Sequence, residues 1–197
     1  MKPFSEACER NKDPLLNMLR AVLADRRTVL EIGSGTGQHA VYFAGHLPHL
    51  TWLTSDLPAN HAGIRAWLDE EKPPNVRPPI HLDVAARPWP VPAVDAVFSA
   101  NTAHILAWPL VAEMFAGIGQ VLGADGILCL YGPFNYGGRC TSDSNASFDL
   151  WLKQRDPASA IRDFEAVDAL ARAQGLALVQ DYAMPANNRT LVWRRGA

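Results

Sequence analysis

The feature that most restricts this chain is the run Val29-Leu30-Glu31-Ile32-Gly33-Ser34-Gly35-Thr36-Gly37. An apolar, strand-like stretch carrying one acid leads into three glycines at alternate positions, and a helical pattern follows. Glycine serves there because the main chain must turn sharply and approach a ligand with no side chain between. The free N–H groups at the start of the next helix then face an anionic group such as a carboxylate. A strand, a glycine turn and a helix in this order call for a parallel sheet with helices on both faces.

The rest of the chain repeats that alternation. Asp13-Pro14 reads as a helix start, with Leu15, Met18, Leu19 and Val22 on one face. Strands are expected at 28–32, 50–55, 80–84, 94–100 and 126–131, with helices at about 37–47, 60–71, from Pro109 to a stop at Gly123, and 163–174. Two closing strands, 176–182 and 189–194, are joined by a short loop and should pair antiparallel. The expectation is an α/β, seven-stranded, mostly parallel Rossmann-like sheet ending in an antiparallel hairpin. Residues 1–197 are read as one domain, with 1–26 an N-terminal arm and helix. About thirty residues separate the fifth strand from the last helix. A connection that long is expected to cover an active site, and 132–161 is assigned that role.

The glycine spacing separates two ligand classes. A nicotinamide-dinucleotide loop would place its third glycine where this chain has Gln38. The acid followed by G-x-G-x-G instead resembles motif I of the S-adenosylmethionine-dependent methyltransferases, whose class I fold matches the outline above. That resemblance implies S-adenosylmethionine as cofactor, with Glu31, Gly33, Ser34, Gly35 and Gly37 at its methionyl end. Asp56 lies nineteen positions past Gly37, where the superfamily's ribose-binding acid falls. A carboxylate there can accept from both ribose hydroxyls. Asp83 matches the adenine-contacting position, and Leu57 and Val84 adjoin these two acids. Asn101, just past the fourth strand, falls where the fold borders the transferring methyl group.

Further segments carry a narrower likeness. Glu9-Arg10-Asn11-Lys12, Ser99-Ala100-Asn101 with His104, Tyr131-Gly132-Pro133-Phe134, Ser144-Asn145 with Phe148-Asp149, and Met184-Pro185-Ala186-Asn187-Asn188 together resemble the methyltransferase-like 26 family, formerly a domain of unknown function. The similarity covers nearly the whole chain. It implies the same fold and cofactor and names no methyl acceptor.

Composition removes other classes. A net charge of -2 gives no general attraction to nucleic acid or anionic membranes. No run approaches the roughly 18 apolar residues of a membrane span, and the stretch 1–13 offers no apolar core for a leader. Cys8, Cys129 and Cys140 lack metal-type spacing and read as reduced thiols, so cytoplasm is expected. His46 and His49 are separated by Pro48 and have no carboxylate partner, so no metal site is assigned.

Methyl transfer from a sulfonium depends mainly on holding the reactants in line, with a base needed only if the acceptor must lose a proton. His104 has two readings: that base, or a side chain pinning its own loop. Tyr131, Asn145, Asn187 and Asn188 are candidates for the acceptor pocket, though asparagine is also an ordinary turn residue. Arg10 and Asn11 are candidates for the methionine carboxylate. The expected acceptor is a small molecule, with a protein side chain as the second option. The alternative class is a domain that binds S-adenosylmethionine or a partner without catalysis. Oligomeric state is not legible.

Overall fold

The computed structural model describes residues 2–196. Helix α1 (Glu6–Val22) leads into β1 (Thr28–Ile32), α2 (Gln38–His46), β2 (Thr51–Asp56), α3 (Pro58–Glu71), β3 (Val76–His81) and β4 (Val94–Ala100). Then come α4 (Trp108–Val121), β5 (Leu122–Gly132), β6 (Phe134–Asn135), α5 (Asp143–Arg155), β7 (Arg162–Asp163), α6 (Phe164–Ala173), β8 (Leu176–Met184) and β9 (Asn188–Arg195). The main sheet has seven strands in the order β3-β2-β1-β4-β5-β9-β8. The first five pair in parallel, and β9 pairs antiparallel with both β5 and β8. This is the expected Rossmann-like methyltransferase fold. No helix among the described residues is long and apolar enough to cross a membrane.

Alternation of side chains along each strand divides the core into two layers. Leu30, Val97, Leu128, Leu130, Leu191 and Trp193 face the layer shared with α4 and α6. Val29, Ala96, Phe98, Cys129 and Val192 face the layer shared with α1 and α2. In the second layer Phe43 meets Phe98 edge-on with centroids 5.5 Å apart, and Trp52 lies 5.8 Å from Phe43. Each fully buried Leu or Phe stabilises the fold by roughly 1.5–3 kcal/mol.

Three expected boundaries move, each for a physical reason. The first helix begins at Glu6, not at Asp13-Pro14, because Ser5 caps it by accepting from the Cys8 amide. Pro14 sits inside that helix, and Arg10, whose carbonyl loses its partner, is on the exposed side. The third strand runs from Val76 to His81, so Asp83 lies two residues past its end. Pro78 and Pro79 disguise it in the sequence, and the structure tolerates them because β3 is an edge strand. Gly123 does not stop α4. Leu122 is already extended, and Gly123 lies within β5.

The stretch 132–161 contains a helix that the sequence reading did not assign. Ser142 caps α5 by accepting from the Asn145 amide at 3.1 Å. β6 pairs with β7 at its base. Arg162 Nε donates to the Ala103 carbonyl at 3.1 Å, docking this stretch on the loop after β4.

Candidate functional site

Strand order reverses at β1, with β2 and β3 on one side and β4 and β5 on the other. Ligands in open α/β sheets bind beyond the carboxyl ends of the strands at such a point. A crevice of about 640 Å³ lies there.

Its floor is the glycine turn. Gly33 and Ser34 donate their amides to the Ser55 carbonyl at 3.1 and 3.0 Å, stapling the turn to the end of β2. Gly33 has φ +71, and a Cβ there would stand 2.8 Å from Thr102 Oγ1. Gly35 has φ +58, but a Cβ on it would meet nothing nearer than the Gly33 carbonyl at 3.9 Å. Gly35 lines the crevice, and its left-handed φ is one that side-chain-bearing residues rarely adopt. Gly37 does not face the crevice; it precedes α2 and backs onto Ile64 of α3.

Glu31 also stays off the crevice wall. It is 2% exposed, and its Oε2 accepts from Ser34 Oγ at 2.8 Å and Trp52 Nε1 at 3.1 Å. Ser34 Oγ in turn accepts from the Ser55 amide. Glu31 therefore braces the turn from beneath. Burial pushes its carboxyl up to about 7, against the lowering effect of the Trp52 and Ser34 hydrogen bonds.

The strand-end acids do line the crevice, together with Leu57 and Val84. Asp56 Oδ2 accepts from the Gly35 amide at 2.8 Å, and its Oδ1 accepts from the Leu57 amide and Asn60 Nδ2. Both oxygens are thus aimed by the local backbone. Asp83 Oδ1 accepts from the Ala85 amide at 2.9 Å. Asn101, held at φ +57 with its amide on the Tyr131 carbonyl, lies across the crevice.

The opposite wall is apolar. His104 is 6% exposed, and its ring meets Phe148 edge-on at 5.5 Å. Phe148 stacks on Trp151 at 5.7 Å, and the Arg155 guanidinium lies over Trp151 at 5.6 Å. Burial lowers the His104 pKa to about 4, helped by the Arg162 cation. The ring is therefore neutral at physiological pH, with a lone pair available. Its carbonyl also accepts from the Ala160 amide at 3.0 Å, so the residue pins α5's exit as well.

Several candidates are not brought to the crevice. Tyr131 is 4% exposed in the α1–α2 core layer. Arg10 is exposed on α1, and Asn11 is buried against His39. Asn145 Nδ2 donates to the Asn187 carbonyl at 3.1 Å, and Asn187 Nδ2 to Ser144 Oγ at 3.1 Å. These amides clamp the start of α5 to the β8–β9 turn. Asn187 and Asn188 line a separate cavity of about 370 Å³ instead. His46 and His49 bond the carbonyls of Tyr42 and Leu23.

The sequence reading missed Cys8, His39, Ile105, Phe148 and Trp151 as crevice residues. Phe148 and Trp151 could have been found only by assigning α5, whose 148/151/152/155 stripe has helical spacing. A further groove of about 450 Å³ between α1, α2 and α3 shares Cys8 and His39 with the crevice.

A family model described as "Protein of unknown function (DUF938)" matches residues 2–195. Among solved structures, an O-methyltransferase family protein from Burkholderia thailandensis superposes with TM-score 0.85 at 19% identity, covering 98% of this chain and 58% of that one. The S-adenosylmethionine-dependent methyltransferase SibL, solved in its apo form, gives 0.81 at 20% identity, covering 96% and 56%. An O-methyltransferase family 2 protein from Planctomyces limnophilus, solved in complex with apigenin, gives 0.76 at 14% identity, covering 93% and 61%. The chain spans a little over half the length of these structures.

Proposed function

The chain belongs to the DUF938 family, and we propose that it is an S-adenosylmethionine-dependent methyltransferase acting on a small-molecule acceptor. One observation carries the reading: at the point of strand reversal, Asp56 is bonded to the Gly35 amide at 2.8 Å, on the rim of a crevice floored by the glycine turn. That arrangement suits a ligand with a sugar diol beside a charged tail. The glycine turn would hold the methionyl end, Asp56 the ribose, and Leu57, Asp83 and Val84 the adenine. The cofactor would supply an electrophilic methyl group on sulfur.

The protein's own part is then placement and exclusion of water. The apolar wall of Ile105, Phe148 and Trp151 suits a flat, largely apolar acceptor. His104, neutral and buried at the inner end of that wall, is suited to take a proton from a hydroxyl or similar nucleophile. The narrower likeness to the methyltransferase-like 26 family belongs to the same reading, as does a cytoplasmic setting.

The test is calorimetry with S-adenosylmethionine, paired with transfer of a labelled methyl group to small molecules of a cell extract. Binding is expected in the parent and a loss of about tenfold to a hundredfold in Asp56→Ala, since hydrogen bonds to a charged group are at stake. No binding by the parent ends the reading. Binding with no transfer to any acceptor favours a non-catalytic domain.

A further inference from the structure

A chain of buried polar side chains crosses three elements behind the crevice. Tyr131 on β5, Asn11 on α1 and His39 in the first turn of α2 are 4%, 7% and 5% exposed. Asn11 Oδ1 bonds His39 Nε2 at 2.7 Å, and Tyr131 is buried next to Asn11. A carboxamide oxygen only accepts, so Nε2 carries the ring proton and Nδ1 carries the lone pair. The ring plane is fixed as well, stacked on Phe43 at 5.0 Å and edge-on to Phe98 at 6.2 Å.

The lone pair is directed at Cys8. Nδ1 faces Cys8 Sγ at 3.9 Å, and both residues line the crevice, whose floor holds Gly35 and Thr36, as well as the groove between α1, α2 and α3. A thiol is a weak donor, so this acceptor is poorly satisfied by the protein itself. Burial holds the ring pKa at about 4, which keeps it neutral. Asn11, a neutral partner, preserves that state, whereas a carboxylate in its place would favour the imidazolium.

We propose that His39 is a binding residue whose Nδ1 accepts a hydrogen bond from the ammonium group of an amino-acid-bearing ligand, with Asn11 the positioning residue that sets its tautomer. This rests on the reading of the crevice as an S-adenosylmethionine site, whose charged tail belongs at the glycine turn. A carboxylate is the wrong partner for Nδ1, because it would need a proton there that this neutral tautomer lacks. Asn11 thereby serves the crevice without touching its contents.

The test compares S-adenosylhomocysteine with 5′-methylthioadenosine, which lacks the amino-acid tail, by calorimetry on the parent and three variants. His39→Phe is expected to lose about tenfold to a hundredfold for the first and no more than about twofold for the second. His39→Asn, whose carboxamide oxygen can stand near the Nδ1 position, should recover most of that loss. Asn11→Asp should weaken S-adenosylhomocysteine selectively as well. Equal loss for both probes, or none, overturns the proposal. Retained methylthioadenosine binding shows that a variant is folded, and should His39→Phe bind neither, Asn11→Asp decides. If the parent binds neither probe, the reading of the crevice fails and this proposal with it. If the parent binds both and no variant discriminates, only the role of His39 falls.

Discussion

The two walls of the crevice hold the same residue in different company. On the α1–α2 side, His39 bonds Asn11 through Nε2 and faces Cys8 through Nδ1. On the α5 side, His104 is equally buried, but its neighbours are Phe148 and the charge of Arg162. Both rings are held near pKa 4, in each case chiefly by burial. Matching titration therefore says little about role; the partners do. A hydrogen-bonded ring fixed in one tautomer presents one nitrogen as a defined acceptor. A ring packed edge-on against Phe148 carries no such assignment.

The sharpest way to break this comparison is at the point where the walls touch. Gly33→Ala would push a methyl against Thr102 and strain a left-handed turn, costing about 1–3 kcal/mol. Cofactor affinity is expected to fall about tenfold or more in titration calorimetry, while the far-UV circular dichroism spectrum stays unchanged. An unaltered affinity would mean that the turn is not part of the binding surface.

Acid unfolding separates the buried groups by sign. A histidine whose folded pKa is lowered to about 4 binds protons mainly when unfolded between pH 6.5 and 4, so stability falls as pH drops through that window. The loss is on the order of 3 kcal/mol for each ring. Glu31, raised to about 7, works in the opposite direction: its contribution is present below about pH 4.5 and is lost as pH rises to 7. In thermal melts, His39→Asn and His104→Phe should each flatten the fall in Tm below pH 6.5. Glu31→Gln should gain on the parent from pH 4.5 to 7 and then level off. Parallel curves for all four proteins would show that these groups are not buried in solution.

The smallest expected effect belongs to the apolar wall. Trp151→Ala should raise the KM for an acceptor about twofold to tenfold, the worth of one aromatic contact, and leave S-adenosylhomocysteine affinity within about twofold. A loss of cofactor affinity instead would assign Trp151 to the adenine end.

The same division decides what the sequence disclosed. The polar wall depends on local chemistry with fixed spacing: a glycine turn, an acid at each of two strand ends, and period-2 strands between them. Such features are legible because each is set by its own backbone. Even there the reading placed Glu31, Asn11 and Gly37 in contact with the ligand, whereas the fold puts them one layer behind. Nothing in a single sequence separates a contact from its support. The apolar wall depends on α5, whose stripe was hidden in a stretch read as connection. Asn145 and Asn187 fasten that helix to the β8–β9 turn, while Asn188 bonds carbonyls of its own turn, contacts that no local spacing announces. β3 was misplaced because Pro78 and Pro79 are acceptable only at a sheet edge, and edge position is a property of the whole fold.

The most direct test is where a cofactor product comes to rest. A crystal structure with S-adenosylhomocysteine should show its ribose hydroxyls on Asp56, its adenine between Leu57 and Asp83, and its amino-acid tail at the turn around Gly33 to Thr36. Density in the groove between α1, α2 and α3, or a crevice closed by the side chains of α5, would contradict it.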